Sequence, residues 1–416
     1  MKLTQWQPAL PDHYWRLTPD ELDEAIEERR RELGESLVIL GHHYQSDEVV
    51  RHADFTGDSF KLAQLAAKRA TASGANRIIF CGVHFMAESA DILTPDEVQV
   101  VLPDLAAGCS MADMADIDDV IDAWDRIHAS LDEAGWCGRI VPITYMNSTA
   151  AIKAFVGEYG GAVCTSSNAR DVFAWAMAGG VEPGADEDIK LLFLPDQHLG
   201  RNTAAAFGFK TDGGTGVSPV SDADGETCVY DPKKTRQGES LGGLIGADLV
   251  RSQVILWAGH CSVHKLFRPE HCDQLRRSEP DVSILVHPEC SKEVVDRADL
   301  AGSTEFIIRA IDEAPAGSKW VIGTEVHLVH RLVQRAAQRG VLVRSLSECQ
   351  CMCTTMNRID EPHLLWTLDQ LAQGEVVNRV SVEREERAGA LTALERMLAL
   401  KTTTQATPSL AVELQA

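Results

Sequence analysis

Residues 36–47, with the sequence SLVILGHHYQSD, contain the pattern that decides the fold, a short apolar run followed directly by polar side chains. The run is rich in Val, Ile and Leu and does not alternate with polar residues, which is typical of a parallel strand buried on both faces. Similar runs recur along the chain, and they are RIIFCGV, VQVVLPD, RIVPITY, GAVCTS, IKLLFLPD, SQVILWAG, VSILVHP, KWVIGTE and GVLVRSL. Helical patterns such as DSFKLAQLAAKRATASG and TEVHLVHRLVQRAAQRG separate them. This alternation predicts an α/β protein in which helices cover parallel sheets.

The bulk composition excludes several classes of protein. A chain of 416 residues suggests two or three domains, and 44% hydrophobic residues are enough to build ordinary cores. The formal net charge of -23 argues against a general affinity for nucleic acid or an anionic membrane. Residues 1–30 lack the apolar core of a signal peptide, and no apolar run approaches the roughly 18–20 residues of a membrane span. We therefore expect a soluble cytoplasmic protein that binds neither nucleic acid nor membrane.

Small polar and metal-binding residue types follow almost every apolar run. The segments are GHHYQSD, HFMAESAD, LAAGCSMAD, MNSTA, SSNAR, QHLGRN, HCSVH, ECSK, GSTEF and SECQCMC. In parallel sheets, ligands bind at the carboxyl ends of the strands. Loops that only connect elements contain more Gly, Pro, Asn and Lys, and fewer His and Cys. The sequence therefore predicts a functional site assembled from these strand ends.

The placement of these segments has a threefold rhythm. Cys109, Cys261 and Cys353 each follow the last strand of a block of about three strands. The segments GHHYQ, TYMNST and HPECSK each follow the first strand of a block. Sequence identity between the blocks is negligible, so the pattern predicts repeated placement and not a repeated sequence.

The pattern also predicts a division into domains. We expect an N-terminal helical segment, three αβα domains, and C-terminal helices with a frayed tail, at residues 1–34, 35–125, 126–265, 266–355 and 356–416. The first helix is predicted to begin after Thr18, because Pro and two acidic residues follow this N-cap residue. Residues 207–243 are rich in Gly, Asp and Ser and are interpreted as an exposed insertion. Cys228 within it is expected to have no role in the site.

The eleven cysteines include a cluster of three, Cys349, Cys351 and Cys353, on the segment SLSECQCMCTTMNRID. A disulfide, a metal site and coincidence are all compatible with this spacing, although a reducing compartment disfavours disulfides. Cys109, Cys261 and Cys353 are too far apart in sequence for a local metal clip, but three blocks can bring one thiolate each to a central cavity. Three soft ligands suit zinc or an iron–sulfur cluster. A structural zinc site would need four ligands, so the pattern favours a 4Fe–4S cluster with one open iron that acts as a Lewis acid.

The chain resembles the quinolinate synthase family over most of its length. The motifs that carry the resemblance occur in order, and they are HHYQ, GDS, CGVHFMAE, PDLAAGCSMAD, TYMNST, CTSSNA, FLPDQHLGRN, GHCSVH, HPEC, GST and IGTE. The resemblance implies three similar αβα domains around a pseudo-threefold axis, with a 4Fe–4S cluster in the central cavity. It also implies a transferase-type condensation of iminoaspartate with dihydroxyacetone phosphate to quinolinate in NAD biosynthesis. An aspartate oxidase or dehydrogenase would supply iminoaspartate, which is unstable in water.

The resemblance also assigns the cluster ligands. They would be Cys109, Cys261 and one cysteine of the segment CQCMCTTMN. The family has a Met three residues after the third ligand, which selects Cys353. Cys351 is the weaker alternative, and Cys349 could pair with it as a redox-sensitive dithiol.

By the same resemblance, the substrate contacts would come from residues of the strand-end motifs. These are His42, Ser59, Tyr145, Asn147, Ser166, His264, His287, Glu289, Ser303 and Thr304. The expected catalytic residues are Tyr44, Glu289 and His42, because enolisation and dehydration need acids and a base with tuned pKa values. Carboxylates and a phosphate need hydroxyl, amide and imidazole donors, which the remaining residues provide.

Two other functions compete with this interpretation. A hydro-lyase with an open-iron cluster would share the cofactor but would need no phosphate site, whereas GST and CTSS are suited to bind phosphate. A non-catalytic iron–sulfur sensor would usually carry a nucleic-acid-binding or partner-binding module, and the sequence has no basic patch or helix-turn-helix pattern. The condensing enzyme is therefore the preferred interpretation.

Overall fold

The computed structural model describes residues 7–72, 74–184, 187–211, 226–235, 238, 240–348 and 351–401. Within these residues the helices are α1 (Pro19–Leu33), α2 (Asp47–Val50), α3 (Ser59–Ala72), α4 (His84–Leu93), α5 (Ile117–Glu133), α6 (Ala150–Glu158), α7 (Ala169–Met177), α8 (Gln197–Ala206), α9 (Gly246–Arg251), α10 (Pro269–Ser278), α11 (Lys292–Val295), α12 (Thr304–Asp312), α13 (Val326–Ala337), α14 (Glu361–Ala372) and α15 (Arg384–Lys401). The strands are β1 (Leu37–His42), β2 (Phe55–Gly57), β3 (Arg77–Cys81), β4 (Gln99–Val101), β5 (Arg139–Tyr145), β6 (Ala162–Cys164), β7 (Ile189–Leu194), β8 (Thr227–Tyr230), β9 (Val254–Trp257), β10 (Ser283–Val286), β11 (Leu300–Ala301), β12 (Lys319–Gly323), β13 (Leu342–Ser345) and β14 (Arg379–Val380).

The strands form three sheets, and the same strand order occurs in each. The second strand pairs with the first, the first with the third, and the third with a further parallel strand. The orders are β2-β1-β3-β4 in the first sheet, β6-β5-β7-β9 in the second, where β8 precedes β9 in the chain and lies outside it in the sheet, and β11-β10-β12-β13 in the third. All these pairs are parallel. We call each sheet with its helices a unit. The α/β class and the threefold repetition are therefore confirmed, with four strands in each repeat where the sequence suggested about three.

Burial explains why the apolar runs form these strands. Every residue of β1 and β7 is buried, and in β5 only the first residue is not. Helices on both faces of a parallel sheet remove both sets of side chains from water, so no polar alternation is needed. The helix predicted after Thr18 also forms, with a capping box between Thr18 and Glu21.

The terminal helices join the units together. Helix α1 packs on α14, where Arg29 and Tyr14 both bond to Asp369, each at 2.7 Å. Strand β14 adds to the edge of the first sheet, antiparallel to β4. Helix α15 crosses α6 of the second unit, and its Arg387 forms an ion pair with Asp91 of α4 in the first unit at 3.0 Å.

The interpretation of residues 207–243 as an exposed insertion is wrong for part of the segment. Residues Thr227–Tyr230 form β8, which pairs in parallel with β9 at the edge of the second sheet. Cys228 is 5% exposed, and Tyr230 is buried and stacks on Trp257. The strand is only four residues long in a polar segment, which is why composition did not predict it. Residues 212–225, 236, 237 and 239 lie outside the described residues.

The boundary predicted at residue 125 falls inside α5, which is one continuous helix. Helix α5 packs against α9 of the second unit, and Trp257 donates a hydrogen bond to the Met114 carbonyl just before it, at 2.7 Å. We therefore place this boundary before Ile117, while the remaining divisions stay predictions. The part of the chain after Lys401, predicted to be frayed, lies outside the described residues. Among the described helices, none combines the length and apolar character that a bilayer crossing requires.

Candidate active site

Strand ends from all three units border one cavity. Its lining contains most of the residues that the sequence predicted for the site, which are His42, Tyr44, Ser59, Cys109, Tyr145, Asn147, Ser166, Cys261, His287, Glu289, Thr304 and Cys353. Two predicted residues are absent from the lining. His264 lies behind Glu289, and Ser303 caps α12, where its hydroxyl accepts a hydrogen bond from the Phe306 amide at 3.3 Å.

The three cysteines occupy equivalent positions in the three units. Cys109 follows β4, Cys261 follows β9 and Cys353 follows β13, which hold the same place in the three sheets, and each cysteine starts a tight turn. The carbonyl of Cys109 accepts a hydrogen bond from the amide four residues later in the chain at 3.1 Å. The carbonyls of Cys261 and Cys353 accept the equivalent hydrogen bonds at 3.1 and 3.0 Å. A short 3₁₀ helix follows each of the three turns. One thiol from each unit therefore reaches the cavity in the same local geometry.

This geometry separates Cys353 from Cys351. Cys353 is partly exposed and lines the cavity, whereas Cys351 is 0% exposed and lies in an apolar cluster of the third unit with Val263 and Phe267. The position selected by the Met spacing is therefore the one whose thiol faces the cavity. Cys349 lies outside the described residues, so its predicted pairing with Cys351 stays a prediction.

Burial makes the three thiols weak acids when no cation is bound. It raises the pKa of Cys109 to about 12, and it also raises the pKa of Cys261 and Cys353. The thiols are close enough to raise one another's pKa by repulsion between thiolates. A bound cation would reverse this effect, because thiolates that ligate a metal are deprotonated.

Glu289 is the buried carboxylate of the cavity. Its Oε2 lies 2.7 Å from Nδ1 of His264 and 4.0 Å from Nδ1 of His287. Burial by itself raises the pKa of Glu289, but the contacts with His264, His287 and Tyr145 together hold this pKa below its ordinary value. Burial lowers the pKa of His287 to about 3, so this ring is neutral at pH 7. The site therefore holds an ionised carboxylate in contact with two buried imidazoles.

A chain of hydroxyl contacts links Glu289 to Tyr44. The Tyr44 hydroxyl lies 3.0 Å from Oγ1 of Thr324 and 3.2 Å from Oγ1 of Thr304. Thr324 in turn lies 3.2 Å from Nε2 of His264, whose other ring nitrogen contacts Glu289. Burial raises the pKa of Tyr44 well above its ordinary value, so the phenol stays protonated. Residues from all three units thus form one route for a proton.

The loops that carry Tyr44 and Glu289 have the same conformation. The Tyr44 amide donates to Nδ1 of His42 at 3.1 Å, and the Glu289 amide donates to Nδ1 of His287 at 3.3 Å. Each His directly follows or ends the first strand of its unit. Both histidines line the cavity. Each also accepts a hydrogen bond from the amide two residues later in the chain, which fixes the position of Tyr44 or Glu289.

Sequence reasoning missed several residues of the site. Asp58 and Thr165 line the cavity next to predicted residues and belong to the same motifs. The apolar part of the lining was also missed, and it comprises Val83, Phe85, Met86, Met111, Met146, Val263 and Met356. Thr324 belongs to the quoted motif IGTE, but its role between Tyr44 and His264 depends on contacts between distant segments.

These features define a class, an α/β enzyme of three repeated units whose shared cavity combines three thiols with acid–base side chains. The family model described as quinolinate synthetase A protein matches residues 24–399. Among curated relatives, a quinolinate synthase of Anoxybacillus flavithermus is 49% identical over 96% of this chain and 99% of its own length. Those of a Nocardioides species and of Streptomyces coelicolor are 54% and 52% identical, over 92% and 89% of this chain and 91% and 86% of theirs. The chain belongs to the quinolinate synthetase A family of enzymes.

Proposed function

We propose that the chain condenses iminoaspartate with dihydroxyacetone phosphate to form quinolinate, with release of one phosphate and two water molecules, as a step of NAD biosynthesis. The observation that carries the proposal is the set of three equivalent cysteines, one from each unit, in the cavity of a member of this family. The hydroxyl, amide, imidazole and carboxylate groups that line the cavity suit small anionic substrates.

The donor set fits a 4Fe–4S cluster held by Cys109, Cys261 and Cys353. Among the described residues, the lining contains these three cysteines and no fourth, which matches a cluster with one iron left open to substrate. When bound, such a cluster would supply a Lewis acid for carboxylate or hydroxyl oxygen.

A single metal ion is the competing occupant. Within the described part of the chain, one group of possible ligands has all its ligand atoms within 4.8 Å of one another, and it consists of Cys261, His264 and Glu289. A tetrahedral zinc ion holds its sulfur ligands only about 3.8 Å apart, and the three thiols do not form such a group. A mononuclear ion would therefore leave Cys109 and Cys353 without a role, which is why we prefer the cluster.

The remaining side chains have assignable roles. We assign Tyr145 and Asn147 to binding the carboxylates of iminoaspartate, since both line the cavity at the end of β5. Ser59 and Thr304 begin α3 and α12, and helix N-termini of this kind favour bound phosphate. Ser166 and His42 add donors to the same cavity.

Glu289 is the base that we assign to enolisation and ring closure. Its contacts with His264, His287 and Tyr145 hold its pKa below the ordinary value, so it is ionised, and it lines the cavity. Tyr44 is protonated and can donate, and the contacts through Thr324 and His264 allow the proton to return. The partner that generates iminoaspartate, an aspartate oxidase or dehydrogenase, is part of the same proposal because the imine hydrolyses in water.

The test is anaerobic purification followed by iron and sulfide analysis and an assay with both substrates, iminoaspartate being generated in the reaction vessel. We expect about four irons per chain and quinolinate formation that depends on both substrates. A colourless, zinc-loaded protein that makes quinolinate would refute the cluster. Protein with a full cluster that makes no quinolinate but dehydrates a hydroxy acid would favour the hydro-lyase.

A further inference from the structure

The loops that carry the acid–base residues are held by side chains from the neighbouring unit. We define the site loops as residues 42–47, 145–150 and 287–291, which follow the first strands of the three units. The helix after the third strand of each unit, α4, α8 or α13, carries a polar residue that contacts the site loop of another unit. These residues are Glu88, Asn202 and Arg331, and we call them the clamp residues.

The third site loop shows the contact most clearly. The side-chain amide of Asn202 donates to the carbonyls of Pro288 and Cys290, at 2.8 and 2.9 Å. These two residues are the immediate neighbours of Glu289. Asn202 belongs to the second unit, so the position of this carboxylate depends on a residue outside its own unit.

The first site loop is held in the same way from the third unit. The guanidinium of Arg331 donates to the Gln45 carbonyl and to the carboxylate of Asp47, both at 2.8 Å, and also to the carbonyl of His43. His43 and Gln45 flank Tyr44. The planar guanidinium can reach several acceptors at once, which a Lys ammonium at the end of a flexible chain would not reproduce.

The second site loop closes the cycle from the first unit. Oε2 of Glu88 accepts a hydrogen bond from the amide of Ala150 at 3.0 Å. The adjacent Ser89 hydroxyl contacts the sulfur of Met146 at 3.7 Å. The two contacts, at Met146 and Ala150, lie on opposite sides of Asn147 in the chain. The first unit thus holds the second, the second holds the third, and the third holds the first.

We infer that Glu88, Asn202 and Arg331 are positioning residues, which set the place of the acid–base and carboxylate-binding side chains in the cavity. A displacement of about 1 Å in a reacting group can cost a factor of about 100 in rate. Each clamp residue has a chemistry matched to its loop, since two donate to carbonyls and one accepts from an amide. Because the three residue types differ, no repeat in the sequence reveals the cycle.

The inference for Asn202 rests on the proposed role of Glu289 and is tested by a double-mutant cycle. Asn202→Ala should lower kcat for quinolinate formation by about 10- to 100-fold, with iron content unchanged. In the Glu289→Gln background the same substitution should lower kcat by less than about twofold, because the side chain that it positions is already inactive. Asn202→Asp should lower kcat more than Asn202→Ala does, since its carboxylate would face two carbonyl oxygens. Thr203→Ala is the matched control, because the Thr203 hydroxyl bonds only to the Leu199 carbonyl in the same helix.

Hydrogen exchange gives a measure that does not depend on activity. The amides of Glu289 and Cys290 should exchange faster in Asn202→Ala than in the wild type, whereas those of Thr203→Ala should not. The inference is overturned if Asn202→Ala lowers kcat by the same factor in the wild type and in Glu289→Gln. It is also overturned if Asn202→Ala leaves hydrogen exchange at Glu289 and Cys290 unchanged. If the wild type makes no quinolinate, the proposed function fails, and the exchange measurement still decides whether Asn202 holds the loop.

Arg331 supplies an independent pair of variants should the Asn202 variants fail to fold. Arg331→Met should lower kcat by about 10- to 100-fold, and Arg331→Lys should recover only part of the loss. Arg335→Met, on the same helix, removes an ion pair with Asp312 within the third unit and should leave kcat within about twofold. Similar losses from Arg331→Met and Arg335→Met would refute a positioning role for Arg331.

Discussion

Replacing Cys351 and Cys353 by Ala, one at a time, separates a ligand from a core residue two positions away. Both variants remove one sulfur from the same short segment, so they differ only in what surrounds the sulfur. Cys353 lines the cavity with Cys109 and Cys261, whereas Cys351 is fully buried in an apolar cluster. We expect Cys353→Ala to lose the cluster and Cys351→Ala to keep it.

The expected loss of stability follows from the packing. A sulfur that leaves a fully buried position forfeits about 0.8 kcal/mol of transfer free energy, as for a methylene group. A void of roughly 20 Å³ adds about 0.5 kcal/mol at about 24 cal/mol per Å³. Cys351→Ala should therefore lower the free energy of unfolding of the metal-free protein by about 1 kcal/mol. Cys353→Ala should lower it by less, because its sulfur borders the cavity.

The assay combines iron and sulfide per chain with denaturant unfolding of the metal-free proteins. The wild type and Cys351→Ala should hold about four irons per chain, and Cys353→Ala should hold almost none after anaerobic reconstitution. If Cys351→Ala loses its iron while Cys353→Ala keeps it, the assignment of the third ligand is wrong by two residues.

Three further predictions concern catalysis, packing and pH. Glu289→Gln keeps the shape of the side chain but removes the base, so single-turnover quinolinate formation should fall by about 10²–10⁴-fold while the visible spectrum of the cluster stays unchanged; near-normal turnover would exclude Glu289 from the mechanism. Gly157→Ala would place a methyl group 1.9 Å from the Gly389 carbonyl at the crossing of α6 and α15, so we expect the free energy of unfolding to fall by about 1–3 kcal/mol, and an unchanged melting temperature would contradict this close packing. The hydrogen bond from His43 lowers the pKa of Glu305 to about 2. The contribution of this contact to the free energy of unfolding is therefore present above the unfolded pKa near 4.5 and is lost as pH falls from there towards 2. The free energies of unfolding of the metal-free wild type and Glu305→Gln, measured with denaturant, should therefore converge over that range. A constant difference would show that the contact between His43 and Glu305 does not contribute to stability.

Much of the site was predictable because its residues follow apolar runs. Tyr145 ends β5 and Asn147 follows it, while His287 and Glu289 follow β10. In parallel sheets such positions meet at one edge. Cys353 could be selected because of the Met three residues onward. Strand β8 was missed because four residues in a polar segment carry too little apolar pattern to distinguish a strand from a loop.

The class of fold and the residue types of the site follow from the amino-acid sequence. Period and composition are local properties, so the buried parallel strands and the polar residues at their ends could be predicted without coordinates. The contacts among these residues, in contrast, become known only from the three-dimensional structure. The link from Tyr44 through Thr324 to His264, and the hold of Asn202 on the loop of Glu289, join segments that are far apart in the chain. Such contacts depend on how three units pack around one cavity, and no spacing within a single sequence records that packing.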